Sequence, residues 1–165
     1  MNKTRTMSIA AAAATLLGTG LTTGVASATT EPPTSDTDLA RASEAALAET
    51  GDGTVTAFEA DLNGYEVEVR LTDGTDLDVD LDLDFVVVRT SPDDNDNDDR
   101  NVDIENVDLQ RAYDAALAEA GGGTVVSVEV DEDGGYDVEI IQDDRTELEL
   151  DLNADFDAVH TERDD

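Results

Sequence analysis

The chain has 165 residues, a formal net charge of −33 at pH 7, no Cys and no Trp. So acidic a protein repels nucleic acid and anionic membrane surfaces, and favours cationic partners, metal ions or simple solubility in salt. Without Cys neither disulfides nor thiolate metal sites are available, so stability must come from packing alone.

Lys3 and Arg5 open the chain, Ile9 to Gly18 is an Ala- and Leu-rich run, and Val25-Ala-Ser-Ala28 supplies small residues before Thr29. That is the layout of a secretory signal peptide over 1–28, with an apolar run too short to cross a bilayer. No Cys follows to carry a lipid, and no later segment is long and apolar enough to span, so the protein is expected to be secreted and extracellular. Cleavage removes only basic charges, leaving seven Arg, no Lys and all 42 acidic residues, a formal charge of 7 − 42 = −35. Residues 29–37, with Pro32-Pro33 and small polar neighbours, read as a flexible lead-in.

The next stretch repeats. Residues 38–55 recur as 108–125, sharing Asp38/Asp108, Arg41/Arg111, Ala45-Ala-Leu47/Ala115-Ala-Leu117, Gly51/Gly121 and Thr54-Val55/Thr124-Val125. After one inserted Gly, Tyr65-Glu-Val-Glu-Val69 matches Tyr136-Asp-Val-Glu-Ile140, and Phe85 matches Phe156. Two copies of one unit follow, at 38–90 and 108–160, joined by an acidic linker over 91–107 and ending in a tail at 161–165.

Each unit opens with a helix. Asp38 and Asp108 suit N-caps, Leu39, Ala42, Ala46 and Leu109, Ala112, Ala116 keep a one-sided spacing, and Gly51 and Gly121 suit the helix ends. Three strands come next. Residues 55–62 form the first, and Asn63-Gly64 reads as a tight hairpin with positive φ angles, replaced in the second copy by Asp133-Gly134-Gly135. In the second strand Tyr65, Val67, Val69 and Leu71 alternate with Glu66, Glu68 and Arg70. The turn at Thr72-Asp-Gly-Thr75 has no Gly in its counterpart 143–146, which predicts a different geometry there. The third strand, Asp76 to Asp84, alternates carboxylates with Leu77, Val79, Leu81 and Leu83, so one face is apolar and the other anionic. The expected fold is α+β, two tandem repeats, each one helix packed on a three-stranded antiparallel sheet. Units of about 50 residues barely overcome chain entropy, so the repeats are expected to pack on each other or to gain from a partner.

The ordered set of Ala45-Ala-Leu47, Gly51 and Gly53, Thr54-Val55, Tyr65-Glu-Val-Glu-Val69, Asp73-Gly74 and Leu81-Asp-Leu-Asp-Phe85 resembles the PepSY domain. The second copy carries Ala115-Ala-Leu117, Gly121-Gly-Gly123, Thr124-Val125, Tyr136-Asp-Val-Glu-Ile140 and Leu152-Asn-Ala-Asp-Phe156. The resemblance implies a helix on an antiparallel sheet. It also implies a regulatory role, since PepSY units occur in propeptides of secreted thermolysin-type metallopeptidases, which they inhibit and help to fold. They occur as well in free exported or membrane-associated proteins; no peptidase domain is attached to this chain.

No catalytic constellation is visible. His160, the only His, has no His partner for a zinc-protease helix and reads as a surface residue. No carboxylate is singled out by an apolar pocket for glycoside hydrolysis, and no Gly-x-Ser-x-Gly or phosphate-cradling loop is present. In the linker, Asp94, Asp96, Asp98 and Glu105 fall at positions 1, 3, 5 and 12 of an EF-hand register, which makes them candidate Ca²⁺ ligands. Asp99 stands where the turn needs Gly and Asn101 where an apolar anchor is usual, so a solvated charge run is the preferred reading. The carboxylates of 76–84 read likewise as the wet side of a half-buried sheet in preference to a cation ladder.

The sequence therefore points to a secreted, non-enzymatic PepSY-like protein acting by protein–protein contact, with a secreted peptidase or other protein as partner and no cofactor. The alternative is an acidic Ca²⁺-binding or salt-tolerance protein without a dedicated protein target.

Overall fold

The structure, a computed structural model, describes residues 35–92, 107–131 and 133–164. The elements are α1 (Asp36–Thr50), β1 (Gly53–Ala60), β2 (Gly64–Leu71), β3 (Asp76–Asp82) and β4 (Val87–Pro92), followed by α2 (Leu109–Ala120), β5 (Thr124–Val130), β6 (Tyr136–Ile141), β7 (Glu147–Leu152) and β8 (Ala158–Asp164). The signal-peptide region and the four candidate Ca²⁺ ligands Asp94, Asp96, Asp98 and Glu105 lie outside the described residues.

The expectation of two units, each with its own three-stranded sheet, is corrected. All strands belong to one eight-stranded antiparallel sheet in the order β4-β3-β2-β1-β5-β6-β7-β8. Each half repeats the order of one helix and four strands, and the halves join through β1 and β5, where Ala57, Phe58 and Glu59 pair with Glu129, Val128 and Ser127. The join removes two exposed strand edges, which a pair of separate half-sheets would leave open to other chains. Ser91 and Pro92, expected in the linker, end β4, and 161–164, expected as a tail, complete β8.

Both helices lie on one face, α1 over β1 and β2, α2 over β5 and β6, touching each other. Leu39, Ala42 and Ala46 of α1 and Leu109, Ala112 and Ala116 of α2 are buried, and a stripe this small lets each helix sit close to the sheet. The sheet answers with Phe58, Val67, Val69 and Val79, and with Val125, Val128, Val138 and Ile140, all fully buried. These form one continuous core across both halves. Tyr113 occupies α2 where α1 has Ser43, and is buried. Burial, then the charges of Asp36 and Asp38 at the start of α1, push its hydroxyl pKa up.

Local chemistry explains the ends of the elements. Helix α1 starts earlier than its repeat suggests, because Ser35 is the N-cap: its hydroxyl accepts from Asp38 N at 3.3 Å, and Asp38 Oδ2 accepts from Ser35 N at 3.0 Å. Asp38 is therefore the third helical residue of a capping box, where the second copy uses Asp108 itself as cap, accepting from Arg111 N at 3.0 Å. Gly51 and Gly121 end the helices at positive φ.

The turns depart from expectation in an instructive way. Gly64 is not in the left-handed region, and Asn63 is not either. Instead Asp61 Oδ1 accepts from the amides of Asn63 and Gly64, at 2.6 and 2.9 Å, and closes the turn as an Asx motif. The turn at 142–146 does not differ from its counterpart. Leu71 N donates to Thr75 O and Gly74 N to Leu71 O; Gln142 N donates to Thr146 O and Arg145 N to Gln142 O. Arg145 thus takes at φ +70° the left-handed place that Gly74 fills at +87°. Left-handed backbone costs a non-Gly residue roughly 1–2 kcal/mol. Replacing Arg145 with Gly should therefore stabilise the protein by about 1 kcal/mol, seen as a melting temperature a few degrees higher; an unchanged or lower value would count against this account.

The same turn pattern recurs before the fourth strands. Phe85 N donates to Asp82 O and Phe156 N to Asn153 O, with φ of +64° and +68°. An aromatic residue tolerates this backbone because of what it meets. Phe85 stacks on Tyr65 at 4.8 Å and lies under the Arg41 guanidinium at 3.9 Å. Phe156 stacks on Tyr136 at 5.0 Å with Arg111 at 4.2 Å. Stacking at about 0.5–1.5 kcal/mol and a cation–π contact of similar size offset the backbone cost. Arg41 and Phe85, and Arg111 and Phe156, thereby clamp each turn to the helix above it.

Candidate functional site on the uncovered sheet face

Among the described residues no helix covers the other face of the sheet. Strand pairing fixes what lies there, because residues directly opposite share a face. One row runs Arg89, Asp80, Glu66, Glu59, Ser127, Glu139, Glu149, Glu162 across all eight strands. The next runs Ser91, Asp78, Glu68, Ala57, Glu129, Asp137, Asp151, His160. Half of the neighbouring pairs in these rows join two carboxylates, about 4.5–5.5 Å apart at Cβ, a spacing at which like charges repel.

Partial burial, and then that repulsion, push the pKa values of several of these groups up. Glu66 is pushed up to about 7 by desolvation, then by Asp78, Glu59 and Asp80. Glu139 is also raised to about 7, by desolvation and then by Glu147, Glu149, Glu59 and Glu129. Asp137 reaches about 7 through desolvation and then Asp131, Asp151, Glu129 and Glu149. Glu59 and Glu149 shift in the same direction for the same causes. Glu59 and Glu139 belong to different halves, so the central join makes one electrostatic surface of the two.

Countercharges are concentrated in the first half. Arg70 donates from Nε and Nη2 to the two oxygens of Asp76, both at 2.7 Å, and Arg89 pairs with Asp80. Position 70 is matched by Ile141, which pairs with Glu147 as Arg70 pairs with Asp76, so the bidentate pair has no counterpart in the second copy. Thr56 donates its hydroxyl to Glu68 at 2.8 Å from within a β-bulge.

The aspartate ladder of 76–84 divides into different tasks. Asp76, Asp78 and Asp80 face the open side, as the alternation predicts. Asp82 instead holds the turn, its Oδ1 accepting from the amides of Asp84 and Val86, each at 3.0 Å. Asn153 does the same for Asp155 and Asp157, at 2.9 and 3.0 Å. Leu83, expected on the apolar face, lies beyond the strand end and is exposed. Asp82→Ala should cost roughly 1–2 kcal/mol, since two amides lose a charged acceptor, while Asp82→Asn should cost little because Asn153 already performs the role. Thermal unfolding of the two variants checks this, and equal losses would overturn it.

Among the described residues no group of three or more His, Asp or Glu side chains is disposed to hold a metal ion. His160 is exposed on β8 opposite Asp151, with Nε2 3.9 Å from Glu162 Oε2. The carboxyls with raised pKa are spread over an open sheet face. No helix among the described residues is long and apolar enough to cross a membrane. Sequence reasoning foresaw the acidic face of the second and third strands of each copy but missed the fourth strands and the rows that run through both halves.

No family model matches the chain, and no curated protein matches it. Among solved structures, it is similar to a putative lipoprotein from Clostridium difficile 630, at 20% identity over 73% of this chain and 89% of that one, with a TM-score of 0.47. A DUF2874 family protein from Bacteroides uniformis ATCC 8492 is 18% identical over 75% and 88% of the two chains, with a TM-score of 0.29. A protein described as periplasmic, from Bacteroides eggerthii DSM 20697, is 14% identical over 74% and 86%, also with a TM-score of 0.29. At these TM-scores none of the likenesses carries an argument about this chain.

Proposed function

We propose that this is an exported, non-enzymatic PepSY-like protein that works by protein–protein contact and restrains a secreted peptidase. The observation behind this reading is the sheet itself, eight strands wide with both helices on one side and a carboxylate-rich face left open. An extended face of this kind suits a macromolecular surface better than a small substrate, which is typically enclosed in a concave, largely apolar site. The signal-peptide pattern of 1–28 supports export, and the ordered PepSY-like residues, present twice, support the link to peptidases. The strongly negative charge favours a partner with a basic surface, and charge of this kind speeds association and excludes like-charged partners.

Adding the purified protein to the peptidases secreted by its own producer tests the reading. Dose-dependent loss of peptidase activity is the expected result, and unchanged activity at saturating protein would overturn it. The reading assigns no cofactor. Calorimetric titration with Ca²⁺ tests Asp94, Asp96, Asp98 and Glu105 separately, and saturable heat lost on their replacement would add a calcium site.

A further inference from the structure

Exposed large apolar side chains are shared unevenly between the halves. Leu62, Leu83, Val86 and Val88 are 56, 47, 57 and 64% exposed, all in the first half, whereas Val159 is the one such residue described in the second. Leu62 sits in the turn between β1 and β2, Leu83 and Val86 in the turn between β3 and β4, and Val88 at the bulge of the edge strand β4. Because Gly64 pairs with Asp82, the two turns leave the same end of the sheet on adjacent hairpins. Neighbouring strands lie about 4.8 Å apart, so these side chains share one corner.

The fold does not need Leu83 or Val86, whereas Val88 has its counterpart in the equally exposed Val159. The second half builds the matching turn with the same hydrogen bonds, using Asn153 for Asp82 and Phe156 for Phe85, yet it has Ala154 and Asp157 where the first has Leu83 and Val86. An apolar corner held in water without a packing reason marks an interaction site. It is ringed by Asp61, Asp82 and Asp84, and Asp80 stands next to it on the open face. The complementary surface is therefore an apolar patch surrounded by Lys and Arg.

We propose that this corner of the first half is the docking surface for a folded protein carrying an apolar patch ringed by basic residues, and that the second half contributes no equivalent contact. The inference rests on the reading that the chain acts by protein contact, and says where that contact is centred. A photo-reactive benzoylphenylalanine placed at position 86, and in a separate chain at position 157, tests it in the full-length protein secreted by its producer. The expected result is a covalent adduct from position 86, none from position 157, and a basic protein in the adduct. The double variant Leu83→Ala/Val86→Asp, which installs the residues of the second half, should weaken peptidase inhibition at least about tenfold while leaving the melting temperature within a few degrees. Equal adducts from both positions, no adduct from 86, an acidic partner, a second copy of the chain in the adduct, or inhibition unaltered by the double variant would each overturn it. An adduct from 86 with a basic protein that is not a peptidase would keep the docking surface and remove the peptidase reading.

Discussion

Replacing Gly64 with Ala is expected to remove roughly 3–5 kcal/mol of stability. A Cβ at this position would stand 1.9 Å from Leu81 O, 3.0 Å from Leu81 C and 3.2 Å from Asp82 Cα. All three are backbone atoms, so no side-chain rotation relieves the clash, and β3 would have to move away from β2. That separation strains the pairing of Tyr65 with Leu81, two buried residues that fasten the edge of the core. Overpacking of this kind usually costs 1–3 kcal/mol and more when backbone must shift, against a total stability of about 5–15 kcal/mol for a domain. The melting temperature should fall by about 10 °C or more. Gly135→Ala should behave likewise, since its Cβ would stand 2.4 Å from Leu152 O. Gly74→Ala is the control, because nothing lies within 4 Å there and only the backbone at φ +87° is strained, a cost nearer 1–2 kcal/mol. A melting temperature for Gly64→Ala within about 3 °C of the parent would show that the close approach is not what that glycine serves.

These glycines mark the boundary between what the chain discloses locally and what it does not. Asn63-Gly64 has the composition of a positive-φ hairpin, yet Gly64 is there to let β3 come close, a fact about a strand more than ten residues away. Alternation of apolar and acidic residues did reveal β2, β3, β6 and β7 and the sidedness of each, because burial of one face is written with a period of two. The fourth strands were hidden by Phe85 and Phe156. A bulky residue at positive φ breaks the local rule for a turn, and the stacking on Tyr65 and Tyr136 that permits it is a tertiary matter. The single sheet was hidden too, since its centre depends on three residue pairs between β1 and β5, and Ala57 opposite Glu129 carries no recognisable complementarity. Each strand's carboxylates could be read in isolation; their alignment into rows through both halves follows only from that join.

The same rows make an acid-favouring protein of an acidic one. Glu66, Asp137 and Glu139 titrate near 7 in the folded state, and Glu59 and Glu149 are also raised. In the unfolded chain they return to the ordinary range of about 4. Between those limits the folded protein holds more protons than the unfolded one, so stability grows as pH falls from 8 towards 5 and is lost as pH rises through 7. Asp73 and Asp144 act oppositely, held low by hydrogen bonds from Thr75 and Thr146, but their contribution is lost only below about pH 4. A stability maximum near pH 5 follows. The groups are half-exposed, and Asp137 more so, which screens the repulsion, so the combined gain from pH 8 to pH 5 should be about 1–3 kcal/mol, or roughly 5–10 °C in melting temperature in dilute buffer. Molar salt shortens the screening length from about 10 Å to about 3 Å and should raise the pH 8 value until most of the difference disappears. Glu139→Gln should raise the melting temperature at pH 8 and leave it nearly unchanged at pH 5, because it removes a charge that is already gone in acid. A profile flat from pH 5 to 8 at low salt, or one falling towards acid, would show that the rows are too well solvated to repel. The direction also bears on function, since a basic partner laid over these rows would relieve the same repulsion that protons relieve, and its binding should tighten as pH rises and the carboxylates ionise.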